Sequence, residues 1–244
     1  MAKMRFFALL ACSLAAAGAA PAGEIGDKPE TAGTARVLGT IVQATEPDEL
    51  RYLILKPLTD RYADAKGIEV TQAEEQAYVE HLQATMEEDR KHKTERRDEL
   101  TQKLASPGLS EEERESLSSE LDTLQGFLAT LDEMAQGAAE APEETAAARG
   151  EVAEAFIRQW KINRALFDDY GGRVIFQQGG PEPLDAYRKF LEERKKTGDF
   201  EILDKDLEEG FWRYYTTESI HSFYEPGSEE EARALHTPWW QADQ

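Results

Sequence analysis

Cysteine is almost absent from this 244-residue chain: Cys12 is the single example, and it falls in the N-terminal segment. A disulfide framework, a thiolate metal cluster and a cysteine nucleophile in the body of the protein are thereby excluded. Histidine is scarce as well, limited to His81, His92, His221 and His236. His81 and His92 would lie about three helical turns apart, too far to share one ion, and His221 and His236 flank an acidic stretch that offers only an adventitious site, so no metal and no cofactor is expected. No Gly-x-Ser-x-Gly elbow, His-Glu-x-x-His pair, phosphate-binding loop or GxGxxG fingerprint occurs, and without such a constellation nothing points to an enzyme. Positive charge is in deficit, with 28 Lys and Arg against 49 Asp and Glu for a net charge of −21. Phosphate backbones and anionic membrane surfaces are repelled by such a chain, which excludes nucleic acid as a partner.

Long apolar runs are missing too, apart from the N-terminus. There Lys3 and Arg5 precede an apolar stretch over 6–17, followed by small residues through Ala22. That order is the n-region, h-region and cleavage site of a secretory signal peptide over 1–22, too short for a membrane anchor. Cleavage after Ala19 or Ala22 removes Lys3, Arg5 and Cys12 and directs the product to the periplasm or its equivalent. The competing reading takes Leu9-Leu10-Ala11-Cys12 as a lipobox and places a lipid anchor on Cys12. Residues 23–34, rich in Gly, Pro and Glu, read as a flexible leader.

What is present is helical periodicity. A short β-branched segment at 36–43, with a kink at Gly39, reads as a strand. Leu50, Leu53, Ile54, Leu58 and Tyr62 define a helix opened by Thr45 and Pro47, kinked or restarted at Pro57 and closed by Gly67. Thr71-Gln72-Ala73-Glu74 fits a capping box and starts a second helix with Tyr78, Val79, Leu82 and Met86 on one side. Of the thirteen residues 87–99, eleven are charged, and that stretch reads as a solvated helix. After a Ser-Pro-Gly break at 106–108, Ser110 to Glu113 is another capping box. Leu117, Leu121, Leu124, Leu128, Leu131 and Ala135 then form an a/d seam, so 87–136 is expected to project as an inserted antiparallel helical hairpin. A loop or hinge is expected at 137–144.

Aromatic content shifts toward the C-terminal third: 16 of 22 aromatic residues lie between Phe156 and Trp240. Val152, Phe156, Trp160, Phe167 and Tyr170 stripe a largely buried helix ended by Gly171-Gly172. A strand at 173–178, a helix at 182–195 and a helix at 205–219 follow. The early and late strands are expected to pair and close a mainly α domain running from residue 35 to 244. Tyr215, Phe223, Tyr224, Trp239 and Trp240 are the candidate peptide-binding residues, as an exposed aromatic groove for extended apolar polypeptide; packing in the core is the competing explanation for such aromatics. A third possibility, chemistry at the glycine-flanked strand with Arg173 or Asp169, has no motif behind it.

Two segments carry a family resemblance. Val37-Leu38-Gly39, the helix over 50–62, and Gly67-Ile68-Glu69-Val70-Thr71 leading into a capped helix resemble the N-terminal region of SurA-type periplasmic chaperones. Residues 155–174, with Trp160, Asn163, Leu166, Tyr170 and Gly171-Gly172-Arg173, look like the long helix and return strand that close the same domain. The resemblance spans about half of the processed chain, while the 87–136 hairpin departs from it and no segment resembles a parvulin prolyl-isomerase module. It implies a SurA-N-like fold and ATP-independent holding of unfolded or extended envelope polypeptides, without isomerase activity. The alternative is a non-catalytic envelope scaffold that binds one specific protein partner through its hairpin.

Overall fold

The computed structural model describes residues 34–177 and 179–241; the signal segment with Cys12, and the leader up to residue 33, lie outside them. In chain order the described elements are strands β1 (Ala35–Val37) and β2 (Thr40–Val42), and helices α1 (Pro47–Lys66), α2 (Gln72–Leu104), α3 (Glu111–Glu140) and α4 (Pro142–Tyr170). Strands β3 (Ile175–Gln177) and β4 (Gly180–Glu182), helix α5 (Leu184–Lys196), β5 (Phe200–Ile202), α6 (Lys205–Thr216) and α7 (Glu229–His236) follow. Single 3₁₀ turns at Glu218–Ile220 and Trp239–Gln241 complete the set. The protein is mainly helical with short β pairings, as the periodicity implies. Its contacts divide it into two compact units, one of 34–67 with 163–232, the other of 68–162 with 233–241.

The first unit holds both sheets. The segment at 36–43 is not one kinked strand: Leu38 and Gly39 both take positive φ, 47° and 85°, and turn β1 back on β2 as a two-residue hairpin. Such a turn requires positive φ at both central positions, and glycine supplies the second without strain. β1 also pairs antiparallel with β5, Ala35 opposite Ile202 and Val37 opposite Phe200, and Arg36 meets Glu201 across the ladder at 3.2 Å. The expected union of the early strand with 173–178 does not form. β3 instead pairs with β4, because Gly179 and Gly180 reverse the chain at once and a local hairpin costs far less loop-closure entropy than a distant partner.

α1 runs unbroken through Pro57, contrary to the expected restart. Its buried Leu50, Ile54, Leu58 and Ala63 share a core with Phe190, Leu191, Phe200 and Phe211. Each of these leucine, isoleucine and phenylalanine side chains contributes about 1.5–3 kcal/mol on burial, enough to outweigh the hydrogen bond that a mid-helix proline removes. Gly67 closes α1 at φ 65°, its N–H bonding to the Ala63 and Asp64 carbonyls, as expected of a C′ glycine.

The second unit is built on the hairpin. Both capping boxes form: the Thr71 side chain accepts from the Glu74 N–H, and Ser110 from that of Glu113, with each glutamate returning a bond. α2 and α3 are antiparallel, since Arg90 pairs with Asp132, Arg96 with Glu120 at 2.8 Å, and Arg114 reaches the Leu104 carbonyl. The charged stretch of α2 is therefore not simply solvated. Arg96 holds Glu120 in a two-pronged contact of 2.8 and 2.9 Å, and the Lys93 ammonium lies 4.9 Å from the Phe127 ring centre. Leu100 and Leu128 supply the buried apolar layer.

The helices also extend past the expected bounds of the hairpin. Where a loop was expected at 137–144, α3 continues to Glu140, Ala141 breaks the backbone at φ −130° and ψ 65°, and α4 starts at Pro142. Proline is accommodated at a first helical position because no N–H is needed there.

Candidate functional site

α2 offers Val79, Leu82 and Met86 on one face, and the early part of α4 offers Ala148 and Val152. Between them lies an open cleft of about 340 Å³, completed by Gln83, Thr145 and Arg149. Its origin is geometric. Arg90 meets Asp132, and Tyr78 stacks on Phe156 with ring centres 5.9 Å apart. Between these contacts α2 advances only from residue 78 to 90, while the return arm advances from 132 to 156, twice as many residues. About 18 Å of one helix is thus spanned by about 36 Å of chain on the other side. The arm cannot lie flat against α2, so the break at Ala141 lets it detour and the apolar faces are left unfilled. Met86 is consequently 50% exposed.

One end of this cleft is fixed by a cluster of aromatics. Tyr78, Ala153, Ile157, Trp160 and Trp240 are buried together, with Val70, Val79, Leu82, Phe156 and Trp239 packed around them. The Trp160 N–H donates to the Ala234 carbonyl at 3.1 Å, and burial pushes the Tyr78 phenol up to about 12. Lys161 ties α4 to the start of α2 through Glu74 at 2.6 Å. Burial alone would raise the Glu74 carboxyl, but the bonds from Lys161 and Thr71 outweigh it and hold the group below the usual range. This packed end holds the apolar lining.

The five aromatics expected to form one groove are dispersed. Tyr215 is 2% and Trp240 1% exposed: both are core residues, in different units, and neither offers an exposed surface. Tyr215 is buried because helical spacing puts it on the same side of α6 as Phe211, its neighbour at 5.8 Å. Trp240 is buried because the terminal 3₁₀ turn inserts it between Tyr78 and Trp160, at 5.3 and 5.8 Å. Trp239 is half-buried, edge-on to Tyr78 and His81 at 5.4 Å, in the cluster that borders the cleft. Phe223 and Tyr224 are half-buried in the first unit, where 222–224 adds to the edge of β3 through Phe176 N–H to the Ser222 carbonyl and Tyr224 N–H to that of Val174. Beside them Phe176 is 61% exposed.

The remaining polar groups of interest satisfy one another. Arg173 pairs with Asp185 at 2.9 Å and Glu218 at 2.7 Å, and its hydrogen bonds hold the Asp185 carboxyl below the usual range. Asp169 accepts from Tyr62 and Lys66. Glu182 accepts from the Tyr214 hydroxyl at 2.8 Å, with the Arg51 guanidinium 3.9 Å from the Tyr214 ring centre; burial pushes the Glu182 carboxyl up. Among the described residues no group of three or more His, Cys, Asp or Glu side chains is placed to hold a metal. Nor is any helix among them long and apolar enough to cross a membrane.

No family model matches the chain, and no curated protein or solved structure matches it either. The cleft was only partly legible in the sequence. The stripe Val79, Leu82 and Met86 and the helical position of Val152 are both visible in the sequence, but no local pattern turns them toward each other, and only the unequal lengths of the two arms create the space.

Proposed function

We propose that this protein is an exported, ATP-independent holding protein for unfolded or extended envelope polypeptides, acting without catalysis and without a cofactor. The observation that carries this reading is the open, largely apolar cleft bounded by Val79, Leu82, Met86, Ala148 and Val152. It falls within the volume range of ligand-binding clefts and takes one or two apolar side chains of an extended client. Release needs no nucleotide, because ordering a flexible chain offsets most of what so small an apolar contact contributes. The signal-peptide pattern at 1–22 and the resemblance to SurA-type chaperones support the same reading, with export to the periplasm as its expected fate and lipidation at Cys12 as the alternative.

The test is light scattering of an unfolded outer-membrane porin diluted into buffer with and without the protein from residue 23 onward. Suppression at near-stoichiometric amounts is expected, with Leu82→Gln and Val152→Gln each weakening it several-fold while the far-ultraviolet circular dichroism stays unchanged. Full suppression by both variants would remove the cleft from the mechanism.

A second reading, a scaffold that binds one envelope partner, is favoured by one feature: α3 carries nine carboxylates against the single Arg114. Such a surface selects a basic partner. Replacing the exposed Glu111, Glu112 and Glu115 of α3 by glutamine separates the two, since a scaffold loses its basic partner while holding by the intact cleft persists.

A further inference from the structure

Arg149 is the only charged side chain among those lining the cleft. In a chain of net charge −21 an exposed arginine usually finds a carboxylate, yet Arg149 carries no ion pair among the described residues. Sequence spacing explains this. On a helix the neighbours of residue 149 are three and four positions away, and those positions hold Thr145, Ala146, Val152 and Ala153. None is acidic, although Glu143, Glu144, Glu151 and Glu154 lie just off register. The side chains that surround Arg149 on α4 are thus the apolar wall of the cleft itself.

An unpaired guanidinium at the rim of an apolar cavity recognises an amphipathic anion. Apolar groups filling the cleft displace water from around the guanidinium, and its planar fork then accepts a carboxylate in two parallel hydrogen bonds. Resting on the holding-protein reading of the same cleft, we infer that the bound client segment is an apolar stretch bearing a carboxylate next to its anchoring side chain, and that Arg149 sets this preference. The acidic surface elsewhere in the molecule would by itself favour basic segments, so the two sources of selectivity predict opposite rankings.

Fluorescence anisotropy with three labelled twelve-residue peptides decides between them. The peptides share one apolar core and differ only in the adjoining residue, Asp, Asn or Lys. The expected result for the unmodified chain is Asp tighter than Lys by about threefold to tenfold, the range of a partly exposed charge pair. Arg149→Glu should invert that order, Arg149→Met should erase it while retaining binding of the Asn peptide, and Arg149→Lys should keep its sign. Equal binding of all three peptides, lost on Leu82→Gln, would overturn the role of Arg149 and leave the cleft standing. Absence of binding by any peptide would overturn the cleft and the inference together.

Discussion

Trp240 is the residue whose perturbation best separates a packing role from a binding role. Its indole is 1% exposed and meets Tyr78, Trp160 and Trp239 edge-on with ring centres 5.3, 5.8 and 5.5 Å away. Truncating a buried tryptophan to alanine costs about 3–5 kcal/mol through lost transfer energy and the cavity left behind. The Trp240 Nε1 has no hydrogen-bond partner, and removing an orphaned buried donor returns about 1–3 kcal/mol. Taking the middle of each range, Trp240→Ala should therefore cost about 2 kcal/mol, while Trp240→Phe, which keeps an aromatic plate and loses the orphan, should cost under about 1.5 kcal/mol. Urea unfolding followed by far-ultraviolet circular dichroism measures both, because tryptophan fluorescence is itself altered by the substitutions. A midpoint for Trp240→Ala within error of the unmodified protein would refute the packing argument and return Trp240 to the list of surface contacts. Trp239→Ala, truncating a half-buried ring, should cost less than Trp240→Ala in the same experiment.

Gly172 sits at φ 108°, and a Cβ there would stand 2.4 Å from the Asp185 Cβ; Gly172→Ala should lower stability by about 2–4 kcal/mol in the same assay, since strain and overpacking add. Asp185 has its folded pKa depressed, chiefly by the hydrogen bond from Arg173, so its contribution is present above the unfolded aspartate value of about 3.9 and disappears as pH falls through the folded value. Asp185→Asn should thus be destabilising near neutrality and show a shallower loss of stability below about pH 4 than the unmodified chain; parallel acid profiles would count against it. Glu182 is shifted the other way by burial, so any stability it contributes is lost as pH rises from the unfolded glutamate value of about 4.3 through the folded value, and Glu182→Gln should flatten that decline. Thr71→Ala removes one half of a formed capping box and should cost about 0.5–2 kcal/mol, read as a shift in thermal midpoint.

Much of the architecture was present in local sequence signals. Thr71 with Glu74, Ser110 with Glu113, and Gly67 marked helix ends correctly, because capping is a contest among neighbouring backbone and side-chain groups. The seam Leu117 to Leu131 announced the antiparallel hairpin, since apolar periodicity defines which face of a helix must be covered. The identity of the covering element was harder. Phe200 to Ile202 carried no strand signal of its own and became β5 only because β1 presented a free edge, and the acidic stretch between His221 and His236 opens α7, where carboxylates favour a helix N-terminus.

Exposure and the cleft were decided by tertiary structure. Tyr215, Phe223, Tyr224, Trp239 and Trp240 have the composition of a binding surface, yet aromatic side chains contribute most by burial, and which of them is covered depends on packing partners distant in sequence. Tyr78 and Trp160 lie 162 and 80 positions before Trp240, and no local pattern links them. The 340 Å³ cleft likewise depends on a difference in path length between two helical arms joined far away at 105–110. Local periodicity determined what each segment would become, whereas long-range closure determined which apolar faces were left without a partner.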